Sequence, residues 1–281
     1  MELPEVEVMR RDLEKEVVGR RIGKADVRPA KNAMSIVRKH HRTRKDFASK
    51  LVGRKITGIG RRGKYLLIEL DDDSILVVHF KMSGRFLRGR KGAELPQHTQ
   101  VHIEFVQGGD LRYIDPRAFG RMFVTTKEKL ESMAEIQKIG IDPLEHTFTG
   151  PQFSHALAER KAKLKPLLMD QEFIAGLGNI YSDEVLFAAG LRHDRKSDEL
   201  SSQEVRRLYR AVQEVVQEAI RYRGTTLDDK AYVDLFGNPG EFQGELKVYG
   251  RRGLSCRRCR SPIEMIKISK RGSYFCPVCQ T

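Results

Sequence analysis

The chain has 281 residues, with 52 Lys and Arg against 38 Asp and Glu and a formal net charge of +14. That length allows two domains with cores of their own, and the excess positive charge points to nucleic acid as partner. No apolar run approaches the roughly 18 residues of a membrane span, and the acidic, amphipathic first residues are no secretory signal, so the expected location is cytoplasmic and nucleoid-associated.

Glu2 to Val18 reads as a helix. Leu3, Val6, Met9, Leu13 and Val17 recur at three- and four-residue steps, Pro4 suits the first turn, and Gly19 suits a stop. Glu2, Glu5 and Glu7 lie near the positive helix start, where acids are stabilising, and for Glu7 that account suffices. From Arg21 to about Val124 the period is two. Residues 65–70, 75–80 and 101–105 alternate as short strands, Asp71-Asp72-Asp73 turns between the first two, and 112–114 and 121–124 add more. This predicts a β-sandwich carrying the N-terminal helix, with a second short helix over 46–51. Residues 128–150 read as a helix followed by a linker containing Pro143 and Gly150. Helical periodicity then returns over 152–160, 166–175, 180–189 and 202–223. Residues 224–244 form a long loop, of the length that marks a binding loop or lid.

The positive charge is clustered. Residues 31–64 hold twelve Lys or Arg and one acid, Asp46, and residues 246–281 hold nine against Glu264 alone. The second run contains the chain's only cysteines, Cys256, Cys259, Cys276 and Cys279, as two Cys-x-x-Cys knuckles separated by sixteen residues. That spacing lets both thiolates of each knuckle turn toward one Zn²⁺ and complete a tetrahedron. Disulfides are the other reading of four cysteines, and they are rare in the cytosol. Four sulfur ligands leave no position open for water, so the expected zinc is structural and holds up a cationic hairpin that has no core of its own.

Four stretches now occur in a telling order: Glu2-Leu3-Pro4-Glu5-Val6-Glu7, Arg61-Arg62-Gly63-Lys64-Tyr65-Leu66, Gly176-Leu177-Gly178-Asn179-Ile180-Tyr181 with Asp183-Glu184, and Tyr249-Gly250-Arg251 ahead of the cysteines. Together they resemble the formamidopyrimidine-DNA glycosylases, from the first helix to the last knuckle. The resemblance implies an α+β fold in three parts. These are a catalytic β-sandwich domain over 1–138, an all-α helix–two-turn–helix DNA-binding domain with a lesion-covering loop over 139–245, and a four-cysteine zinc finger over 246–281. It further implies a monomer that excises oxidised purines (8-oxoguanine and formamidopyrimidines) from duplex DNA. β,δ-Elimination at the abasic site follows, through a Schiff base on the N-terminal amine. Two alternatives stand beside it. The sister class for oxidised pyrimidines tends to begin Pro-Glu-Gly-Pro-Glu, against Leu3 here. A catalytically inactive zinc-finger binder of damaged DNA is favoured by Met1.

The resemblance also implies roles. Such an enzyme takes the base out of the stack and fills the hole. Met82, and Arg117 with Phe119, match the void-filling residues, and Met and Phe are apolar wedges of the kind that unstack bases. Without the resemblance, Met82 and Phe119 read as ordinary sandwich core. Gly176-x-Gly178-Asn179 opens a helix whose free N–H groups suit a phosphate. The resemblance puts Asn179 on the DNA backbone, with His98, Arg160 and Lys161 as further phosphate contacts. It puts Lys64 at the lesion sugar, Glu2 as general acid or base, Glu5 in support, and Arg271 on the lesion phosphate from the finger loop. The 224–240 loop resembles the segment covering the flipped base. The family's mature chain begins with a proline whose secondary amine is the nucleophile. Met1 stands in that register, so its α-amino group is the expected attacking amine.

Overall fold

The structure is a computed structural model that describes residues 1–28, 33–90 and 92–281. Lys31, the start of the first basic run, lies outside the described residues. The fold is α+β and divides into two compact units. The first comprises Met1, Glu5–Gln137 and Arg223–Glu241; the second comprises Glu2–Pro4, Lys138–Tyr222 and Phe242–Thr281.

In chain order the first unit carries helix α1 (Leu3–Val17), strand β1 (Ile22–Val27), helices α2 (Ala33–Val37) and α3 (Arg44–Ser49), strands β2 (Ile56–Arg62), β3 (Tyr65–Leu70), β4 (Ser74–His79), β5 (Arg85–Gly89), β6 (Thr99–Phe105), β7 (Asp110–Ile114) and β8 (Arg121–Thr126), and helices α4 (Lys127–Ser132) and α5 (Ala134–Gln137). Two four-stranded antiparallel sheets, β1-β6-β7-β5 and β2-β3-β4-β8, enclose the core. The apolar stripe of α1 — Val6, Met9, Leu13 and Val17 — is buried in that core with Phe80, Phe86 and Tyr113. The aspartate turn closes as expected, with Asp73 at φ +61 taking the strained position. The linker region opens with two short helices rather than one. Thr126 caps the first through Lys129 N.

The loop at 223–241 has no helix or strand, yet it is well held. Leu235 is fully buried in the sandwich core and its carbonyl accepts the Arg88 N–H at 2.9 Å. Arg223, at φ +59, forms ion pairs with both Asp12 and Asp234. Sequence grouped this loop with the helices that precede it; by contact it groups with the sandwich.

The second unit carries α6 (Gly150–Ala158), α7 (Leu164–Met169), α8 (Asn179–Ala189), α9 (Ser202–Arg221) and the hairpin β9 (Glu264–Ile268) to β10 (Arg271–Phe275). Local chemistry sets the ends. Thr149 caps α6, Gly190 at φ +70 terminates α8, and Ser201 with Glu204 forms a capping box on α9. The helix expected over 166–175 stops at Met169. The chain then stays irregular as far as Gly176, which takes φ +86 and packs its bare Cα on Leu3. A side chain there would collide with Leu3 and strain the backbone.

Candidate active site and nucleic-acid interface

In the first unit the Met1 amine donates to the Lys81 carbonyl at 2.8 Å. Lys64 lies in the two-residue turn joining β2 to β3, beside Gly63 at φ +54. A buried carboxylate sets that turn. Glu7 Oε2 accepts from Arg61 Nε at 3.1 Å, and Arg61 Nη1 donates onward to Gly63 O at 3.0 Å. Arg10 and Arg11 also close on Glu7. Burial acts to raise the pKa of Glu7, but its bonds to Arg10 and Arg11 and the nearby Arg61 charge outweigh burial and hold it below the ordinary 4.5. Helix-end electrostatics therefore does not suffice for Glu7: it anchors the turn that carries Lys64. His79 stands opposite Tyr65, the neighbour of Lys64, in the β3–β4 pair. Burial first, then the charges of Lys81, Lys64, the N-terminal amine and Arg121, push its pKa down to about 3. Its neutral Nδ1 accepts the Lys81 N–H at 3.1 Å. Met1 and Lys64 thus share one cationic neighbourhood.

Met82 and Phe119 are each 57% exposed, which excludes the sandwich core as their place. Arg117 Nη1 lies 4.0 Å from Met82 Sδ, so the three void-filling candidates stand on one rim. Asp115, fully buried, ties the two loops that carry them. It accepts from Ser83 Oγ at 2.6 Å, from Gly120 N at 2.8 Å and from Arg117 N at 3.3 Å. Gly84 and Gly120 both close on the Tyr113 hydroxyl, where a Cβ at either would collide with it. His98 is exposed at φ +63, and its carbonyl accepts the Asp115 N–H at 3.1 Å, so its backbone belongs to the same rim.

In the second unit Glu2 caps α8. Its carboxylate accepts from Gly178 N at 2.8 Å, Ile180 N at 2.9 Å and Tyr181 N at 3.3 Å. The helix N-terminus that sequence offered to a phosphate is therefore taken by a protein carboxylate from the chain start. Asn179 instead reaches toward the finger, with Nδ2 donating to Gly272 O at 3.0 Å. Arg271, the neighbour of Gly272, is exposed at the hairpin tip. Ser269 and Lys270 both take positive φ, +48 and +68, which gives the mirror-image tight turn that twisted strands prefer. Arg160 and Lys161 are exposed in the turn after α6.

Two carboxylates of α8 fasten the finger. Asp183 accepts from Ser273 Oγ at 2.7 Å and Tyr274 N at 2.9 Å, and pairs with Lys165 Nζ at 2.7 Å. Glu184 accepts from the backbone of Lys247, Val248 and Tyr249 at 2.8–3.0 Å. Burial pushes Lys165 down and Asp183 up, with their mutual attraction opposing both. Lys165 Nζ also donates to Asn179 O and Ser182 Oγ, each at 2.8 Å. Sequence reasoning missed Asp115 and Lys165 as organisers, and gave no separate roles to Asp183 and Glu184. Most of their partners lie far along the chain, and for Asp183 and Glu184 the one available signal was acids on an otherwise buried helix.

The four cysteine sulfurs lie within 4.8 Å of one another, with Cys259–Cys276 at 3.4 Å and Cys256–Cys279 at 3.9 Å. Zn–S bonds of about 2.3 Å place tetrahedral sulfurs about 3.8 Å apart, so the site fits one structural zinc and no disulfide is present. Backbone N–H groups of Arg258 and Cys279 point at Cys256 Sγ and Cys276 Sγ, each at 3.4 Å. Phe187, Val248 and Ile263 cover the cluster.

Three family descriptions match: the formamidopyrimidine-DNA glycosylase N-terminal domain over residues 1–122, the formamidopyrimidine-DNA glycosylase H2TH domain over 139–231, and the zinc finger found in FPG and IleRS over 253–281. A formamidopyrimidine-DNA glycosylase of Heliobacterium modesticaldum is 44% identical over 282 residues, covering 99% of each chain. Among solved structures, a complex of Lactococcus lactis Fpg with abasic-site DNA superposes with TM-score 0.90 at 34% identity, covering 100% of both chains. A MutM complex with DNA containing carbocyclic 8-oxo-G superposes with TM-score 0.88 at 34% identity, again over 100% of both chains. With three family descriptions matched in order and a 44% identical relative matched over 99% of the chain, this protein belongs to the formamidopyrimidine-DNA glycosylase family.

Proposed function

We propose that this chain is a DNA repair glycosylase and abasic-site lyase that excises oxidised purines from duplex DNA. The observation that carries the reading is the Met1 amine bonded to Lys81 O, in the same cationic neighbourhood as Lys64, within a chain of this family. The likeness to a relative solved on 8-oxo-G-containing DNA favours it over the pyrimidine sister class. Cytoplasmic action beside the nucleoid, as a monomer, completes the proposal. Among the described residues no helix is long and apolar enough to cross a membrane.

The exposed Met82, Arg117 and Phe119 enter the stack as the lesion leaves it. The Met1 amine attacks C1′, the glycosidic bond breaks, and an imine forms as the sugar ring opens. Glu2 and Lys64 move the protons, Glu2 toward the ring oxygen. The imine acidifies the C2′ proton, so the 3′ phosphate departs by β-elimination. Arg271 grips the lesion phosphate for the second elimination. Asn179, His98, Arg160 and Lys161 contact the backbone, and residues 224–240 cover the flipped base. The division proposed is 1–138 for chemistry, 139–245 for DNA binding and 246–281 for the finger. A Met side chain is bulkier and floppier than a proline ring, so base excision is slowed more than nicking of a ready-made abasic site.

A gel assay on duplexes carrying 8-oxoguanine, an oxidised pyrimidine or an abasic site tests this. The expected result is cleavage at 8-oxoguanine, faster cleavage at the abasic site and little at the pyrimidine. Cleavage confined to the pyrimidine would assign the sister class. Tight binding without any cleavage would make the protein a damage binder.

A further inference from the structure

A cleft of about 630 Å³ opens on the first unit at the end of α1 opposite Met1. The helix has 15 residues, so at 1.5 Å per residue about 22 Å separates its two ends. The described residues of the cleft walls include Arg20, Arg88, Arg90, the Gly108–Gly109 turn and Phe236, none of them an acid, while Glu16 and Asp110 line a smaller adjoining recess that shares Arg20, Arg88 and Gly109. Arg88 and Arg90 stand two residues apart at the end of β5, which is an edge strand of its sheet. Arg20 Nη1 is tethered to Gly108 O at 2.9 Å and Arg88 Nη1 to Glu16 at 2.7 Å. Each tether uses one of the five N–H donors that a guanidinium carries. Phe236 is 48% exposed, although its neighbour Leu235 is fully buried.

We propose that this cleft docks an acidic, aromatic-bearing segment of another polypeptide. Guanidinium forks match carboxylates bidentately, and three of them, of which among the described residues only Arg88 is paired with an acid (Glu16), favour a negatively charged ligand. Phe236 supplies an apolar contact that a phosphate rail has no use for, whereas an aromatic side chain in the ligand does. A duplex presents a broad convex backbone, which a concave cleft of this size receives poorly. Phe236 belongs to the 223–241 loop, so the occupant sits against the segment proposed to cover the flipped base. The docking itself does not depend on that reading.

The test uses the full-length, zinc-loaded protein and a fluorescein-labelled peptide of four glutamates around a central phenylalanine. Anisotropy at near-physiological salt should show saturable binding. Exchanging the peptide's phenylalanine for alanine should weaken it, a change that leaves the protein untouched. Arg90→Glu, and Arg88→Glu with Arg90→Glu, should weaken it on the order of tenfold or more, as loss of charge-assisted bonds predicts. Duplex affinity and nicking at an abasic site should stay at the parent level in both variants. Absence of saturable binding overturns the proposal, as does binding indifferent to the arginines. Displacement of the peptide by undamaged duplex, with a flatter salt slope in the Arg90→Glu variant, would make the cleft a DNA-phosphate contact instead.

Discussion

Glu7 shows how one buried carboxylate supports the chemistry without touching it. Its folded pKa is depressed below 4.5, so its bonds contribute stability above that value and lose it as pH falls through the folded pKa. Glu7→Gln should cost roughly 1.5–3 kcal/mol at pH 7, as expected for hydrogen bonds to charged groups. The gap between parent and variant in thermal melts should close as pH drops below 4.5. A gap independent of pH would mean that shape, and not charge, is what Glu7 contributes. Phe119 is the opposite case. At 57% exposure, Phe119→Ala should leave stability within about 0.5 kcal/mol of the parent. A fluorescent base analogue opposite the lesion should report less unstacking in that variant. A large loss of melting temperature would return Phe119 to the core. The residues that organise the site were the least legible. Arg61 lies 54 positions from Glu7, and Gly178 lies 176 from Glu2. No local pattern foretells such meetings, so helix-end electrostatics looked sufficient for Glu7 and the α8 N-terminus looked open to phosphate.

Elements were readable where periodicity and end signals agreed. The N-terminal helix, the named strands and the long helix at 202–221 all carry a clear face and a stop. The helix expected over 166–175 was overlong because the left-handed Gly176 and its packing on Leu3 belong to tertiary structure. The finger hairpin was legible through its cysteines, but its fastening to α8 through Asp183 and Glu184 was not. That fastening makes Arg271 a presented group on a rigid tip. Arg271→Ala should leave the melting profile unchanged, lower affinity for abasic-site duplex and flatten the slope of log K against log salt by roughly 0.9, the share of one phosphate contact. An unchanged slope and affinity would make Arg271 merely solvated. Metal analysis should return about one zinc per chain, and chelation should abolish DNA binding. A metal-free, folded protein with full DNA affinity would contradict the role given to the finger.

Across the whole molecule, a net charge of +14 supplies the sequence-independent attraction to DNA, and family membership over the full chain supplies the chemistry. The loop at 223–241 joins the sandwich by contact although it follows the helices in sequence. The first unit contains Met1, Lys64, Met82, Arg117 and Phe119; the second contains Glu2, which caps α8, and Arg271 on the finger hairpin. The central claim is that the Met1 amine is the nucleophile in a reaction of this family. Borohydride trapping on an abasic-site duplex, followed by peptide mapping of the adduct, tests it most directly. The expected result is a covalent adduct on the Met1 amine, lost when that amine is acetylated. An adduct on Lys64, or no adduct while the strand is still nicked, would contradict it.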